Sequence, residues 1–308
     1  MPPLKNILVI AGPTASGKSA LAMRVAALLP SEIISADSRQ LYTYLTIGTA
    51  KPTPQELHSV PHHCIDIRTP DQPFNAGDFQ TVGRDAIEAC HSRGRLPIVV
   101  GGTGLYIRAV VDGFFEQPEM SGRYRAELEH RLADEGKEAL FAELQKVDPV
   151  SAATMDASKQ RRVIRALEVF METGVPISQH HQQHVVQPLY HARFFGILWE
   201  RPVLYARIEE RVDRMLASGF LDEVKRLMAM GFDDRFQALQ TVGYKEALAF
   251  LRGEITEERM IELMKQNTRR FAKRQMTWFR KEARISWLPT ADDIDLDAHA
   301  SHIAGLLR

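Results

Sequence analysis

The sequence predicts an α/β protein: a P-loop-type parallel sheet flanked by helices, with an inserted all-helical domain. Three observations predict it. Short apolar runs bounded by turn residues recur at 6–11, 32–36, 64–67, 96–100 and 193–199, with helical patterns between most of them, and alternation of that kind builds a two-faced parallel sheet. The first run leads straight into a glycine-rich phosphate loop. A stretch of more than seventy residues then carries helical periodicity and no strand. At 308 residues the chain is long enough for about two domains.

The run Asn6 to Ala11 is followed by "GPTASGKS", in which Gly12, Gly17, Lys18 and Ser19 fit G-x-x-x-x-G-K-[ST]. Glycines let successive backbone N–H groups converge on an anion at a helix N-terminus, where the helix dipole also favours negative charge. Lys18 is placed to reach an outer phosphate, and Ser19 occupies the position whose hydroxyl ligates magnesium in such loops. A diphosphate or a triphosphate satisfies the same donors, so the loop defines a charge pattern and leaves the chemistry open.

The second run, Glu32 to Ala36, ends at Asp37, at the edge of a parallel sheet where ligands bind. That aspartate suits three roles: magnesium ligand, general base, or cap of the following helix. The run Cys64 to Ile67 reads as a third strand. Leu96 to Val100 is a fourth, leading into "GGTGLY", whose glycines permit close backbone approach and whose only side-chain hydroxyl in the turn is Thr103. A switch-type ATPase would place an acid at the end of this strand. The glycine there argues against a motor ATPase.

From Glu116 to about Tyr190 the pattern is helical, with amphipathic stretches at Tyr124 to Ala133 and Ser158 to Met171. The expected division is therefore 1–115 with 191–308 as the core, and 116–190 as a helical insertion. The insertion carries a basic cluster, Lys159, Arg161, Arg162 and Arg165. Its "QHHQQH" puts His180 and His184 at i, i+4, but no cysteine or acid accompanies them and Pro176 and Pro188 suggest a loop, so zinc is disfavoured. "ARFFGILW" resumes the sheet. After Pro202 the chain is helical until a last short run at Ile285 to Leu288.

The formal net charge is zero, with 39 Lys+Arg against 39 Asp+Glu, so overall charge predicts no polyanion partner. The distribution says more, because eight Lys/Arg against the single acid Glu282 fall between Lys265 and Arg284. On that segment Met264, Phe271 and Trp278 recur every seven residues and are expected as a core stripe, while the arginines fit either phosphate contacts or a solvated face. Two cysteines, Cys64 and Cys90, cannot make a disulfide framework. With an N-terminal run too short to span a membrane, a soluble, cytoplasmic protein is expected, and no feature calls for more than a monomer.

Taken together, "GPTASGKS", "ISADSRQLY", "IGTAKP", "GGTGLYI", "RRVIRALEVF", "VGYKEAL" and "TRRFAKRQMTWFR" resemble the bacterial tRNA dimethylallyltransferases, almost end to end. The departures are small: Cys64 stands where the family usually has an aliphatic residue, and "QTVGYKE" replaces a more usual branched pair before the glycine. The resemblance implies that Gly12, Pro13, Thr14, Ala15, Ser16, Gly17, Lys18 and Ser19 hold the diphosphate of dimethylallyl diphosphate, with magnesium at Ser19. It implies transfer of the dimethylallyl group to N6 of the adenosine 3′ of the anticodon (position 37 of the tRNA). That base must be extruded because its target atom is unreachable in a stacked loop. Asp37 matches the family's general base and Thr103 its hydroxyl partner, while one of Arg207 and Arg211, with Arg211 preferred, matches an arginine that meets the diphosphate. Asp37, Ser38, Arg39 and Gln40, Thr103, Arg125, Arg161, Arg162, Val163, Ile164 and Arg165 match family positions that contact tRNA. So do Lys273, Arg274, Gln275, Met276, Thr277, Trp278, Phe279 and Arg280. The rival readings are a P-loop small-metabolite or nucleotide kinase, disfavoured by the blocks beyond residue 200, and a non-catalytic RNA-binding protein, which would leave the magnesium-competent loop idle.

Overall fold

The structure, a computed structural model, describes residues 4–114, 120–183, 188–290 and 294–307. In chain order the elements are β1 (Lys5–Ala11), α1 (Lys18–Leu28), β2 (Ser31–Ser35), α2 (Pro54–Ser59), β3 (His62–His63), α3 (Ala76–Ser92), β4 (Leu96–Gly101) and α4 (Gly104–Val111). There follow α5 (Arg123–Glu135), α6 (Lys137–Val147), α7 (Pro149–Ala152), α8 (Gln160–Thr173) and α9 (Ile177–Gln183). The chain continues through β5 (Tyr190–Leu198), α10 (Arg201–Ala217), α11 (Phe220–Ala229), α12 (Tyr244–Leu251), α13 (Glu257–Phe279), β6 (Ile285–Pro289) and α14 (Leu296–Leu307).

The six strands form one parallel sheet in the order β3-β2-β4-β1-β5-β6. Outside β3, alternate strand residues feed two cores, as the two-residue period of a strand requires. Ile7, Val9, Ile34, Val99 and Phe194 face one, and Leu8, Ile10, Ile33, Ile98 and Phe195 the other. Burial on both faces is why these strands read as unbroken apolar runs. Because β1 sits between β4 and β5, while the chain leaves it for β2 beyond β4, the loops after β1 and β4 diverge over a crevice at the carboxyl edge. That is where open α/β sheets bind ligands.

The expected strand at Cys64 to Ile67 is a correction: the strand is His62–His63, and Cys64 and Asp66 lie at φ 63° and 54°. The run is apolar because Cys64 packs into the core from a turn, and left-handed backbone at two positions forbids a ladder there.

The chain divides into two compact units, Met1–Val111 with Pro188–Arg308, and Asp112–Gln187. The described elements of the second are helices around Leu128, Leu140, Leu144, Val163 and Leu167. Ile177–Gln183 is helical where the flanking prolines suggested a loop. Pro176 stands just ahead of the first turn, where its missing N–H costs nothing, and its carbonyl accepts from the amides of Gln179 and His180. His184 lies outside the described residues. Among those described, no helix is long and apolar enough to cross a membrane.

One buried polar group braces the sheet edge. Glu32 on β2 accepts from Arg93 Nε (2.9 Å) and Nη2 (2.6 Å), lies 2.7 Å from His63 Nε2, and takes the Cys90 thiol at 3.4 Å. Glu32, His63 and Cys90 are the sole His/Cys/Asp/Glu group of metal-ligating spacing among the described residues. Arg93 already supplies the positive charge, which makes the group a closed ion-pair network. The Arg93 bond, aided by those from His63 and Cys90, holds the Glu32 carboxyl down at about 2 against burial, which pushes it up, while burial and Glu32 push the Cys90 thiol up to about 12. A carboxylate whose folded value lies below its ordinary 4.5 stabilises the fold above that value and loses the contribution as pH falls toward 2. Thermal melts should therefore fall in midpoint across that window. Glu32→Gln should melt lower at neutral pH and show a flatter acid limb; an unchanged limb would mean that the pair contributes nothing.

Candidate functional site

The phosphate loop takes its shape from two left-handed residues, Ala15 at φ 62° and Gly17 at φ 92°. Such a backbone turns consecutive N–H groups inward as an anion-binding nest. Two long-range bonds tie the carbonyls outward: Trp199 Nε1 donates to Ser16 O (2.9 Å) and Arg207 Nε to Ala15 O (3.0 Å), with the Arg207 guanidinium 4.4 Å from the Trp199 ring. Arg207 therefore props the loop from behind. At Gly17, the N-cap of α1, no side chain caps the helix, and its first turn holds no acid, so the positive end of the dipole is left for an anion.

Lys18, Ser19, Asp37, Thr103 and Arg211 line one cavity at the carboxyl edge of the sheet. Lys18 Nζ donates to Pro13 O at 3.3 Å. Burial pulls the Lys18 ammonium down to about 8, opposed by Asp37 and reinforced by Arg211. Arg211 is likewise lowered by burial, with Asp37 pulling it back up. The cavity thus brings two cations and a carboxylate together in a poorly hydrated place.

Asp37 Oδ1 accepts from the amides of Arg39 (2.8 Å) and Gln40 (3.4 Å), so it caps a turn and no helix, and the residue lines the cavity. The Ser38 amide donates to Thr103 Oγ1 (3.1 Å) and the Thr103 amide to Ala36 O (3.2 Å), which stitches the two loops together. Gly101 makes this possible, since a Cβ there would lie 2.0 Å from Ala36 O. Gln40 donates to Thr49 O (3.2 Å) and Ala50 O (3.0 Å) and receives the Ser35 hydroxyl at 2.8 Å.

Sequence reasoning missed the group beneath that wall. Glu223 on α11, buried, accepts from the amides of Thr46 (3.0 Å), Ile47 (2.7 Å) and Gly48 (3.2 Å) and from Tyr244 Oη (2.7 Å). It clamps the segment that carries Thr49 and Ala50, and Gly48 is required there because a Cβ would strike the Phe220 and Tyr244 rings at 2.5–2.6 Å. Nothing in "LDEV" marks Glu223 apart from its neighbour Asp222, so the sequence carries no signal of this.

On α13 the core stripe expected from Met264, Phe271 and Trp278 is corrected. Met264 is buried, but Phe271 and Trp278 are each 39 % exposed. The buried positions are Met260, Met264, Ala272, Gln275 and Phe279; Met260, Met264 and Phe279 belong to one core and Ala272 to the other, and their spacing follows the 3.6-residue turn in place of a seven-residue repeat. Phe271 instead lines the cavity, under the Arg274 guanidinium at 5.7 Å. Lys273, Arg274, Thr277 and Arg280 are exposed, Met276 is half-buried, and Phe279 is buried.

In the helical unit Arg161 and Arg162 are exposed on α8, while Val163 and Ile164 point into that unit's core. Arg165 donates to Glu168 at 2.8 Å, and Arg125 pairs with Glu129 at 3.1 Å. Any side-chain contact made by that stretch of α8 therefore falls to its arginines. Arg39 Nη1 donates to Gln237 O at 2.7 Å.

Comparison with known proteins adds the following. A family profile described as IPP transferase matches residues 40–282. A tRNA dimethylallyltransferase 1 of Trichlorobacter lovleyi is 48% identical over 92% of this chain and 93% of its own, and a tRNA dimethylallyltransferase of Symbiobacterium thermophilum is 47% identical over 98% and 95%. The crystal structure of a full-length tRNA isopentenylpyrophosphate transferase from Bacillus halodurans aligns with TM-score 0.73 at 41% identity, covering 99% of this chain and 96% of that one. A eukaryotic dimethylallyltransferase acting on tRNA aligns with TM-score 0.85 at 30% identity, over 97% of this chain and 77% of that one.

Proposed function

The chain belongs to the IPP transferase family and is a tRNA dimethylallyltransferase, and from that premise we propose how its residues divide the reaction. The phosphate loop, Lys18 and Arg211 hold the diphosphate of dimethylallyl diphosphate. Asp37 and Thr103 meet the N6 amine of the extruded adenosine 3′ of the anticodon. The observation that carries this reading is the single cavity lined by both the phosphate loop and a turn-held carboxylate. Ser16 Oγ, buried in the nest without a hydrogen-bond partner, adds support, since a phosphate oxygen is the acceptor it lacks.

In the proposed step the N6 lone pair forms a bond to the allylic carbon as that carbon's bond to the diphosphate oxygen breaks. The diphosphate leaves with the electron pair and the N6 proton passes to Asp37. The loop amides, Lys18 and Arg211 stabilise the charge that grows on the leaving oxygens. Ser19 offers magnesium a hard oxygen donor beside the diphosphate oxygens, and when bound it would add charge neutralisation at the diphosphate. The exposed face of α13, with Lys273, Arg274 and Arg280, is proposed to dock RNA phosphates.

A kinase reading shares the loop but needs ATP. Purified protein given magnesium, unmodified tRNA and dimethylallyl diphosphate, without ATP, should yield N6-dimethylallyl adenosine in the mass spectrum of the digested tRNA. No modified adenosine, together with phosphate transfer from ATP to a small metabolite, would replace the transferase by the kinase.

A further inference from the structure

The glycines of the 101–104 turn permit close approach, and at two of them the approaching group is α13. A Cβ on Gly102 would lie 2.3 Å from Gln275 Nε2, and one on Gly104 would lie 2.1 Å from Trp278 Nε1. Residues three apart share a helix face, so Gln275 and Trp278 seat together on glycines two apart in the turn. Gln275 is only 8% exposed, although its neighbours Lys273 and Arg274 face solvent.

The Gln275 amide is used at both ends. Its Oε1 accepts from the Thr14 amide at 2.9 Å, and its Nε2 donates to Gly102 O at 2.9 Å. Thr14 belongs to the phosphate loop. Gly102 precedes Thr103, whose hydroxyl accepts from the amide next to Asp37 at 3.1 Å. One side chain therefore joins the half of the cavity that would hold the leaving group to the half that would take the proton. Besides this bridge, the two loops share a Gly12 N–H bond to Gly101 O at 3.4 Å, which is long.

We infer that Gln275 is a positioning residue that sets the spacing between the phosphate loop and the Thr103 turn, and that it does this in place of contacting RNA. The inference rests on the division of roles proposed above. A carboxamide suits the position because it presents one acceptor and one donor in a fixed plane, matching an amide on one side and a carbonyl on the other. Alkyl transfer needs N6 aligned with the carbon–oxygen bond that breaks, and a displacement of about 1 Å in such alignment costs roughly 10²-fold in rate.

Turnover, the donor KM and the tRNA Kd would be measured for the full-length wild type, Gln275→Ala, Gln275→Met, Gly102→Ala and the Gly102→Ala/Gln275→Ala double variant, with thermal melts beside them. Gln275→Ala should lower kcat roughly 10²-fold with tRNA affinity within about threefold of wild type. Methionine fills the same volume without either hydrogen bond, so it should not restore kcat. Gly102→Ala pushes a methyl into Nε2 and should be costly in the wild-type background, yet add little once Gln275 is alanine, since residues acting through one contact are not additive. Weakened tRNA binding with wild-type kcat at saturation, restoration of kcat by methionine, or fully multiplicative losses in the double variant would each overturn the proposal. If single variants melt too low to assay, the non-additivity read from melting midpoints decides: independent losses there also overturn it. A wild-type protein that fails to prenylate tRNA would remove the reading of the reaction itself, a result distinct from any of these.

Discussion

Asp37→Ala should lower transfer by roughly 10² to 10⁴ in single-turnover kinetics, the range for loss of a positioned general base, with tRNA affinity changed only a few fold. The size of the effect follows from how the carboxylate is held. Two backbone amides take Oδ1, so the side chain cannot swing away when the cavity fills, and the Ser38 amide bound to Thr103 Oγ1 keeps the neighbouring backbone in place. Asp37→Asn separates the two jobs. It keeps the turn-capping oxygen but cannot take a proton, so it should match alanine in the chemical step while melting close to wild type. If asparagine restores transfer, Asp37 serves only as a loop cap and another group accepts the proton.

The parts of this site that could be read from the sequence are those whose chemistry and partners are close in the chain. The phosphate loop is legible because its glycines, Lys18 and Ser19 must follow one another for amides to converge on an anion, and Asp37 is legible because it ends an apolar strand. The sheet was legible for a similar reason, since strands buried on both faces show as unbroken apolar runs. What supports the site was not. Gln275 meets Thr14 across 261 residues and Glu223 meets Thr46 across 177, and no local pattern marks either contact. The glycines of "GGTG" were correctly seen as places of close approach, but the approaching group is a helix from the other end of the chain. Phe271 and Trp278 misled because the buried face of α13 follows the 3.6-residue turn and runs through Ala272 and Phe279, one residue beyond each of them.

Lys18→Met should raise the donor KM by roughly 10 to 10²-fold, as expected for removing one hydrogen bond to a charged group. It should lower kcat by a further factor of order 10² to 10³, because the same ammonium faces the charge that develops as diphosphate leaves. Binding of tRNA should be spared, since Lys18 sits within the cavity and apart from the exposed basic face of α13. The pH dependence supplies a sharper mark. Burial disfavours the charged form and brings the Lys18 ammonium from 10.5 down to about 8, so the free protein gives up that proton as pH rises through 8. A bound diphosphate favours the charged form and draws the value back up, so donor binding above pH 8 must take up a proton. Donor affinity should therefore be flat below pH 7 and fall above pH 8 with a limiting slope of about one decade per pH unit. In Lys18→Met that slope should vanish, because the side chain has no proton to lose. A donor-affinity profile between pH 7 and 9.5 that is the same in wild type and variant would mean that Lys18 does not meet the donor.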